Sequence, residues 1–224
     1  MRTMFNYYGG KWRAAKRYPA PQHATIIEPF AGGAGYSLRH YDRDVRLFDK
    51  DPVVAGVWEY LVKATRSEVE RLPLIRPGQD VRELKCSTSA QDLIGFWLSK
   101  GSTHPKRTLS GWSKTHPEQY WSEKIRSRIA VQCDMISHWK VQCCSYRDIP
   151  NMTGTWYIDP PYQGAGKYYR HSQIDYEDLA AWCQSRQGQV MVCENQGADW
   201  LPFRPFSSIK SRRGLSREAL WVKP

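Results

Sequence analysis

Short apolar runs alternate with amphipathic stretches along the chain, and that alternation predicts an α/β protein. Ala24-Thr25-Ile26-Ile27-Glu28 reads as a buried strand running into a glycine-rich turn, Pro29 to Gly35, after which Tyr36 to Tyr41 is expected to start a helix. Val45 to Asp49 reads as a second strand ending in an acid. Pro52, suited to the first turn of a helix, precedes the periodic stretch Val53 to Ala64. Further strands are expected at 140–144, 155–159, 189–194 and 219–222, with Asp175 capping a helix from Tyr176 to Cys183. Strands separated by helices favour a mostly parallel sheet covered on both faces, with ligands bound at the carboxyl ends of the strands.

The alternation lapses between residues 72 and 138, which read as a helical insertion into a domain formed by 1–71 and 139–224. Ser89 to Ser99 is a helical patch, Lys100 to Thr115 is polar, and a long amphipathic helix is expected from Pro117 through Trp121, Ile125, Ile129, Cys133 and Ile136. From Trp97 to Arg128 there are seven Lys and Arg against two acids, with Trp97, Trp112, Tyr120 and Trp121 interleaved. Basic residues beside flat aromatic faces suit a lobe that contacts nucleic acid.

Composition supports a partner of that kind. The 224 residues carry a formal net charge of +11, which draws the chain to polyanions, and 41% hydrophobic residues suffice for one sizeable core. No apolar run of membrane-spanning length or signal-peptide character is present in the sequence, so a cytoplasmic, non-membrane protein is expected. Six cysteines without a CxxC pair and six histidines without ligand spacing signal no metal site and no disulfide framework; buried free thiols are the expectation. The ten Trp residues fit either stacking on bases or filling the core.

The sharpest chemical signal is Asp159-Pro160-Pro161-Tyr162 at the end of a predicted strand. Chance would produce that tetrapeptide roughly 0.003 times in a chain of this length and composition. With it, the chain resembles the S-adenosylmethionine-dependent DNA adenine-N6 methyltransferases, the DNA adenine methylase family, in the compact form of its phage and prophage members. Tyr8-Gly9-Gly10-Lys11 is similar to that family's N-terminal cofactor motif, Glu28 to Gly35 to its glycine loop, and Asp49 to the acid after its second strand. The order of motifs also matches, with the insertion lying before the catalytic tetrapeptide. One position departs: the family's Asp-Tyr or Asp-Phe pair after the third strand is Ser145-Tyr146 here, and Asp148 is a candidate replacement for the missing acid.

The resemblance implies a Rossmann-like methyltransferase sheet, S-adenosylmethionine as cofactor, no metal, and DNA as partner, with a monomer as the expected state. It assigns the cofactor to Tyr8, Gly10, Lys11, Glu28, Phe30, Gly32, Gly33, Gly35, Asp49, Ser145, Tyr146 and Asp159, with Lys11 orienting Asp159 or the cofactor carboxylate. The chemistry of the tetrapeptide also stands on its own. An exocyclic adenine amine is a poor nucleophile because its lone pair is delocalised into the ring. Two acceptors, the Asp159 carboxylate and the Pro160 carbonyl, suit a nitrogen moving toward tetrahedral as it attacks. Pro161 stiffens that carbonyl, and Tyr162 is placed to stack on a base flipped out of the duplex.

Lys106, Arg107, Lys114, Lys124 and Arg128 in the insertion, Lys167 in the loop after the tetrapeptide, and Lys210, Arg212, Arg213 and Arg217 in a basic carboxyl-terminal loop are the candidate phosphate contacts. The loop from Gln163 to Arg170 combines glycines with aromatics and is expected to close over the flipped base. RNA as the substrate, cytosine N4 as the target, and a non-catalytic nucleic-acid-binding protein that kept the fold remain alternatives at this level.

Overall fold

The computed structural model describes residues 1–109, 111, 120–164, 166–211 and 214–223. Seven strands form one sheet: β1 (Thr25–Glu28), β2 (Asp44–Asp49), β3 (Lys140–Cys143), β4 (Gly154–Ile158), β5 (Gly188–Asn195), β6 (Arg204–Ser211) and β7 (Gly214–Val222), in the order β3-β2-β1-β4-β5-β7-β6. Pairings from β3 through β5 are parallel, and β7 runs antiparallel to both β5 and β6. The mostly parallel α/β sheet expected from the sequence is therefore present.

Side chains two apart share a face of a strand, and the central strands use this to feed two cores. Ile26, Tyr157, Met191 and Cys193 enter one apolar cluster, whereas Ile27, Trp156, Ile158, Val190 and Val192 enter the other. Being buried on both faces, these strands read as nearly continuous apolar runs. On the first face, α1 (Pro52–Lys63) presents Val54, Val57, Trp58 and Leu61, the stripe of an amphipathic helix. Asp51 caps it, accepting from the Val53 amide at 3.0 Å. The second face is covered by α5 (Tyr176–Ser185), capped by Asp175 as predicted, through Leu179 and Cys183.

The segment from 72 to 138 contains α3 (Thr88–Trp97) and α4 (Glu123–Cys133), while α2 (Arg66–Glu70) precedes it. Its apolar residues, among them Val81, Leu93, Phe96, Trp121 and Ile129, belong to the same cluster as the first face of the sheet. The chain's beginning is threaded into that cluster too. Met4 and Phe5 are buried, the Trp97 indole donates to the Met4 carbonyl at 2.9 Å, and Gln132 accepts from the Arg2 amide at 2.7 Å.

Several expectations are corrected. After the glycine turn only a single 3-10 turn, Ser37–Arg39, replaces the expected helix, since β2 begins at Asp44 and leaves no length for more. The amphipathic helix begins at Glu123 under a Ser122 cap; Pro117 lies outside the described residues. The described residues of the basic carboxyl-terminal segment lie in paired strands rather than in a loop, Lys210 and Ser211 in β6 and Gly214 to Arg217 in β7, with Lys210 pairing with Leu215 and Ser208 with Arg217. Trp97, Tyr120 and Trp121 fill the core, and no described Trp is exposed, so the indoles act in packing rather than as stacking surfaces. All six cysteines are free, but Cys143 is exposed on the edge strand β3.

Trp58 ties this core to the glycine turn, because its indole N–H donates to the Gly32 carbonyl at 2.8 Å. Trp58→Ala is expected to lower the unfolding free energy by about 3–5 kcal/mol in urea denaturation. Trp58→Phe, which keeps most of the packing and strands the carbonyl, should cost about 1–3 kcal/mol.

Candidate active site

The strand order reverses direction between β1 and β4, and the chains leaving those strands must diverge to opposite faces. A cavity of about 600 Å³ opens there. Glu28 ends β1, Asp49 ends β2, Ser145 follows β3 and Asp159 follows β4, so one edge of the sheet delivers all four to the cavity. Every residue that the resemblance assigns to the cofactor lines it, as do Pro161 of the tetrapeptide and Tyr7, Asp51, Tyr169, Arg170 and Asp175; Pro160 and Tyr162 stand outside the lining.

Buried acids shape the glycine turn. Asp49 accepts from the Gly32 amide and the Asp51 amide, both at 2.9 Å, and Glu28 accepts from the Ser37 amide at 2.7 Å. Gly32 sits at φ +43° against the Tyr7 ring, where a side chain is disfavoured twice over. Gly35 has another reason to be glycine: a Cβ would strike the backbone nitrogen of Trp12. That glycine serves the protein's own packing. Burial pushes the Glu28 carboxyl up to about 8 and Asp49 up to about 6, against the lowering effect of the amides they accept from.

Lys11 reaches Asp159. Its Nζ lies 3.2 Å from Asp159 Oδ1, 3.7 Å from Glu218 and 4.6 Å from the centre of the Tyr162 ring, and it donates to the Gly9 carbonyl at 3.2 Å. Asp159 Oδ1 is buried yet receives no aligned hydrogen bond from any described residue. The turn around it is pinned from outside. Tyr176 donates to the Pro161 carbonyl at 2.8 Å, and Glu194, at the end of β5, accepts from the Gln163 amide at 2.7 Å and the Trp200 indole at 3.2 Å.

The loop after the tetrapeptide brings Tyr169 and Arg170 into the cavity lining. Tyr169 donates to the Tyr8 carbonyl at 3.3 Å, Thr103 donates to the Tyr168 carbonyl at 2.9 Å, and Arg170 pairs with Asp51 at 3.3 Å. At the far end, the Phe30 and Tyr146 rings stand 5.5 Å apart, and Tyr146 donates to Asp178 at 2.6 Å. Ser145 lines the cavity, Asp148 does not, and the acid found at this end is Asp175. Sequence reasoning missed Asp51, Asp175, Glu194 and Glu218 as residues at or beside the site, and placed Arg170 in the closing loop without its partner Asp51. Asp51 and Asp175 carried a visible signal as helix caps; Glu194 and Glu218 pair with residues too remote for any local pattern.

Of the candidate phosphate contacts, Lys106, Lys124, Lys167 and Arg217 are exposed, and Arg107 is exposed beside Asp92 at 3.7 Å. Lys114, Arg212 and Arg213 lie outside the described residues, as does the side chain of Lys210. Arg128 is corrected: its guanidinium donates to the Thr3 carbonyl at 2.9 Å and lies 5.3 Å from the Trp97 ring, so it holds the amino-terminal segment in place. Among the described residues no His, Cys, Asp and Glu group has the arrangement of a metal site, and no helix is long and apolar enough to cross a membrane.

No protein-family model matches the chain, and no curated protein matches it. Among solved structures, a conserved hypothetical protein from Streptococcus pyogenes aligns with 89% of this chain and 86% of its own, at 12% identity and a TM-score of 0.39. A likeness that slight carries no argument about function.

The raised Glu28 carboxyl has a consequence for stability. Between its ordinary value and about 8 the folded state holds a proton that the unfolded chain releases, so stability falls as pH rises across that window. Urea midpoints from pH 5 to 8.5 should decline in the wild type, and Glu28→Gln, which cannot ionise, should decline less. Parallel curves would place the proton elsewhere.

Proposed function

We propose that the chain is an S-adenosylmethionine-dependent DNA methyltransferase acting on the N6 amine of adenine. One observation carries the reading: a buried carboxylate oxygen, Asp159 Oδ1, balanced in charge by Lys11 at 3.2 Å but without an aligned donor among the described residues, stands inside an Asp-Pro-Pro-Tyr turn at the switch point of a parallel sheet. A buried acceptor left open is costly unless a ligand answers it. An amine N–H would do so. The Pro161 carbonyl is already held by Tyr176, which leaves the Pro160 carbonyl as the turn's second acceptor for that amine. Together these two acceptors would localise the nitrogen lone pair and aim it at the electrophile.

The cavity's remaining chemistry fits the cofactor. Glu28, Asp49, Asp51, Asp159 and Asp175 make its lining acidic within a chain of net charge +11. That interior suits a small cationic ligand while the exterior suits a polyanion. Glu28, giving up the proton that burial holds on it, would receive the cofactor's ammonium, and Asp49, whose two amide contacts leave lone pairs over, would accept from the ribose hydroxyls. Phe30 and Tyr146 would flank the adenine ring, with Ser145 and Asp175 at its polar edge. When bound, S-adenosylmethionine supplies a methyl group on a sulfonium, already a strong electrophile. Lys11 would orient Asp159, Tyr162 would stack on the flipped base once the loop opens, and Tyr169 and Arg170 would reclose the mouth. Exposed Lys106, Arg107, Lys124, Lys167 and Arg217 would meet the phosphates, giving an affinity that falls with salt.

Product identification tests this. Protein and S-adenosylmethionine are incubated separately with unmethylated duplex DNA, single-stranded DNA and RNA, and the digested nucleosides are separated by mass. N6-methyldeoxyadenosine from DNA is expected, with turnover in Asp159→Ala down by roughly 10²-fold or more and DNA retention kept. Methylated RNA alone would move the substrate to RNA. No methylated nucleoside together with no cofactor binding would leave a nucleic-acid-binding protein that kept the fold.

A further inference from the structure

Glu218, on β7, is 5% exposed and belongs to no motif in the sequence, yet it is the second carboxylate beside the Lys11 ammonium, along with Asp159. Its Oε2 accepts from the Tyr18 hydroxyl at 3.0 Å, and its Oε1 lies 3.7 Å from Lys11 Nζ. Tyr18 is itself fixed, stacked on Phe206 at 4.6 Å and set edge-on to Tyr157 at 5.1 Å. The ammonium is thus shared between two carboxylates, and the hydrogen bond it makes among the described residues goes to the Gly9 carbonyl. As a result it stands 3.2 Å from Asp159 Oδ1 without the alignment of a hydrogen bond. With a single carboxylate partner, a buried ammonium would turn a proton onto that partner and compete with a substrate amine for Oδ1.

We propose that Glu218 is a positioning residue which, held by Tyr18, keeps the Lys11 ammonium beside Asp159 rather than hydrogen-bonded to it, so that Oδ1 stays open to the target amine. The assignment to an amine rests on the methyltransferase reading; the geometry of Lys11 does not. Glu218→Gln removes the charge and keeps the shape. In an active enzyme it should lower kcat roughly 10- to 50-fold while KM for cofactor and for DNA stays within about twofold. Glu218→Asp should recover part of that loss. In a Lys11→Met background the same change should alter kcat by less than about twofold, because both act through one ammonium.

A readout independent of turnover is the NMR signal of lysine labelled with ¹³C at Cε, with Lys11 assigned by its loss in Lys11→Met. It should move in Glu218→Gln. An unmoved Lys11 signal, an unchanged kcat, or an equal loss in kcat and rise in KM would each overturn the proposal. If Glu218→Gln does not fold, Tyr18→Phe, which deletes one hydroxyl, carries the same comparisons with an expected kcat loss of about three- to fivefold. If the wild type methylates no polymer, the methyltransferase reading falls, and the Lys11 signal alone then decides whether Glu218 positions the ammonium.

Discussion

Burying several carboxylates around one cavity is the constraint that the rest of this structure answers. An ionised acid removed from water is costly unless donors replace the lost hydration. Here the donors are mostly backbone amides: Ser37 for Glu28, Gly32 and Asp51 for Asp49, Val53 for Asp51, Gln163 and Asn195 for Glu194. Gly32, Ser37, Asp51 and Gln163 belong to chain that follows a strand, so satisfying the acid there fixes the path of the loop. The glycine turn has its course because Asp49 and Glu28 gather its amides. The turn after the tetrapeptide has its course because Glu194 holds Gln163.

Asp159 is the exception within that scheme. Its close partner is the end of a four-carbon side chain rather than a backbone amide, and that partner is shared with Glu218. An amide donor is locked in direction by the loop it shapes, whereas an ammonium shared between two carboxylates can balance the charge of one without aligning a proton on it. The acids held by amides are thereby suited to building a binding wall, and the acid held by an ammonium is suited to receiving a new donor. This difference of partner type is what separates Asp159 physically from the other carboxylates of the cavity.

The sequence made legible whatever was encoded locally. β1, β2, β4 and β5 were readable because both faces are buried, which leaves apolar runs with few interruptions, and α1 and α5 because a cap residue precedes a regular stripe. β6 was missed: an edge strand carrying Pro205 and a run of polar residues lacks that signature. The cavity-lining residues named from the sequence were legible because each sits in a short motif, most of these at a strand end, and the folded sheet needs only to bring those ends together. Glu218 was not legible, since its contact with Tyr18 spans 200 positions and arises from β7 entering the sheet beside β5. The aromatic residues of the insertion misled for a related reason. An indole beside a lysine in sequence looks the same whether it faces a base or, as Trp97 does, the carbonyl of Met4.

The described residues of the 72–138 segment share their apolar cluster with the first face of the sheet and form no core apart from it. The surfaces they expose are therefore held fixed relative to the cavity. β7 shows how short the path between the two is. Successive residues of a strand point to opposite faces, and Arg217 is exposed while Glu218, next along the strand, is buried against Lys11. A shift of one strand, at a position paired to Asn195 of β5 and Ser207 of β6, would therefore act at once on an outward cation and on the ammonium that faces Asp159.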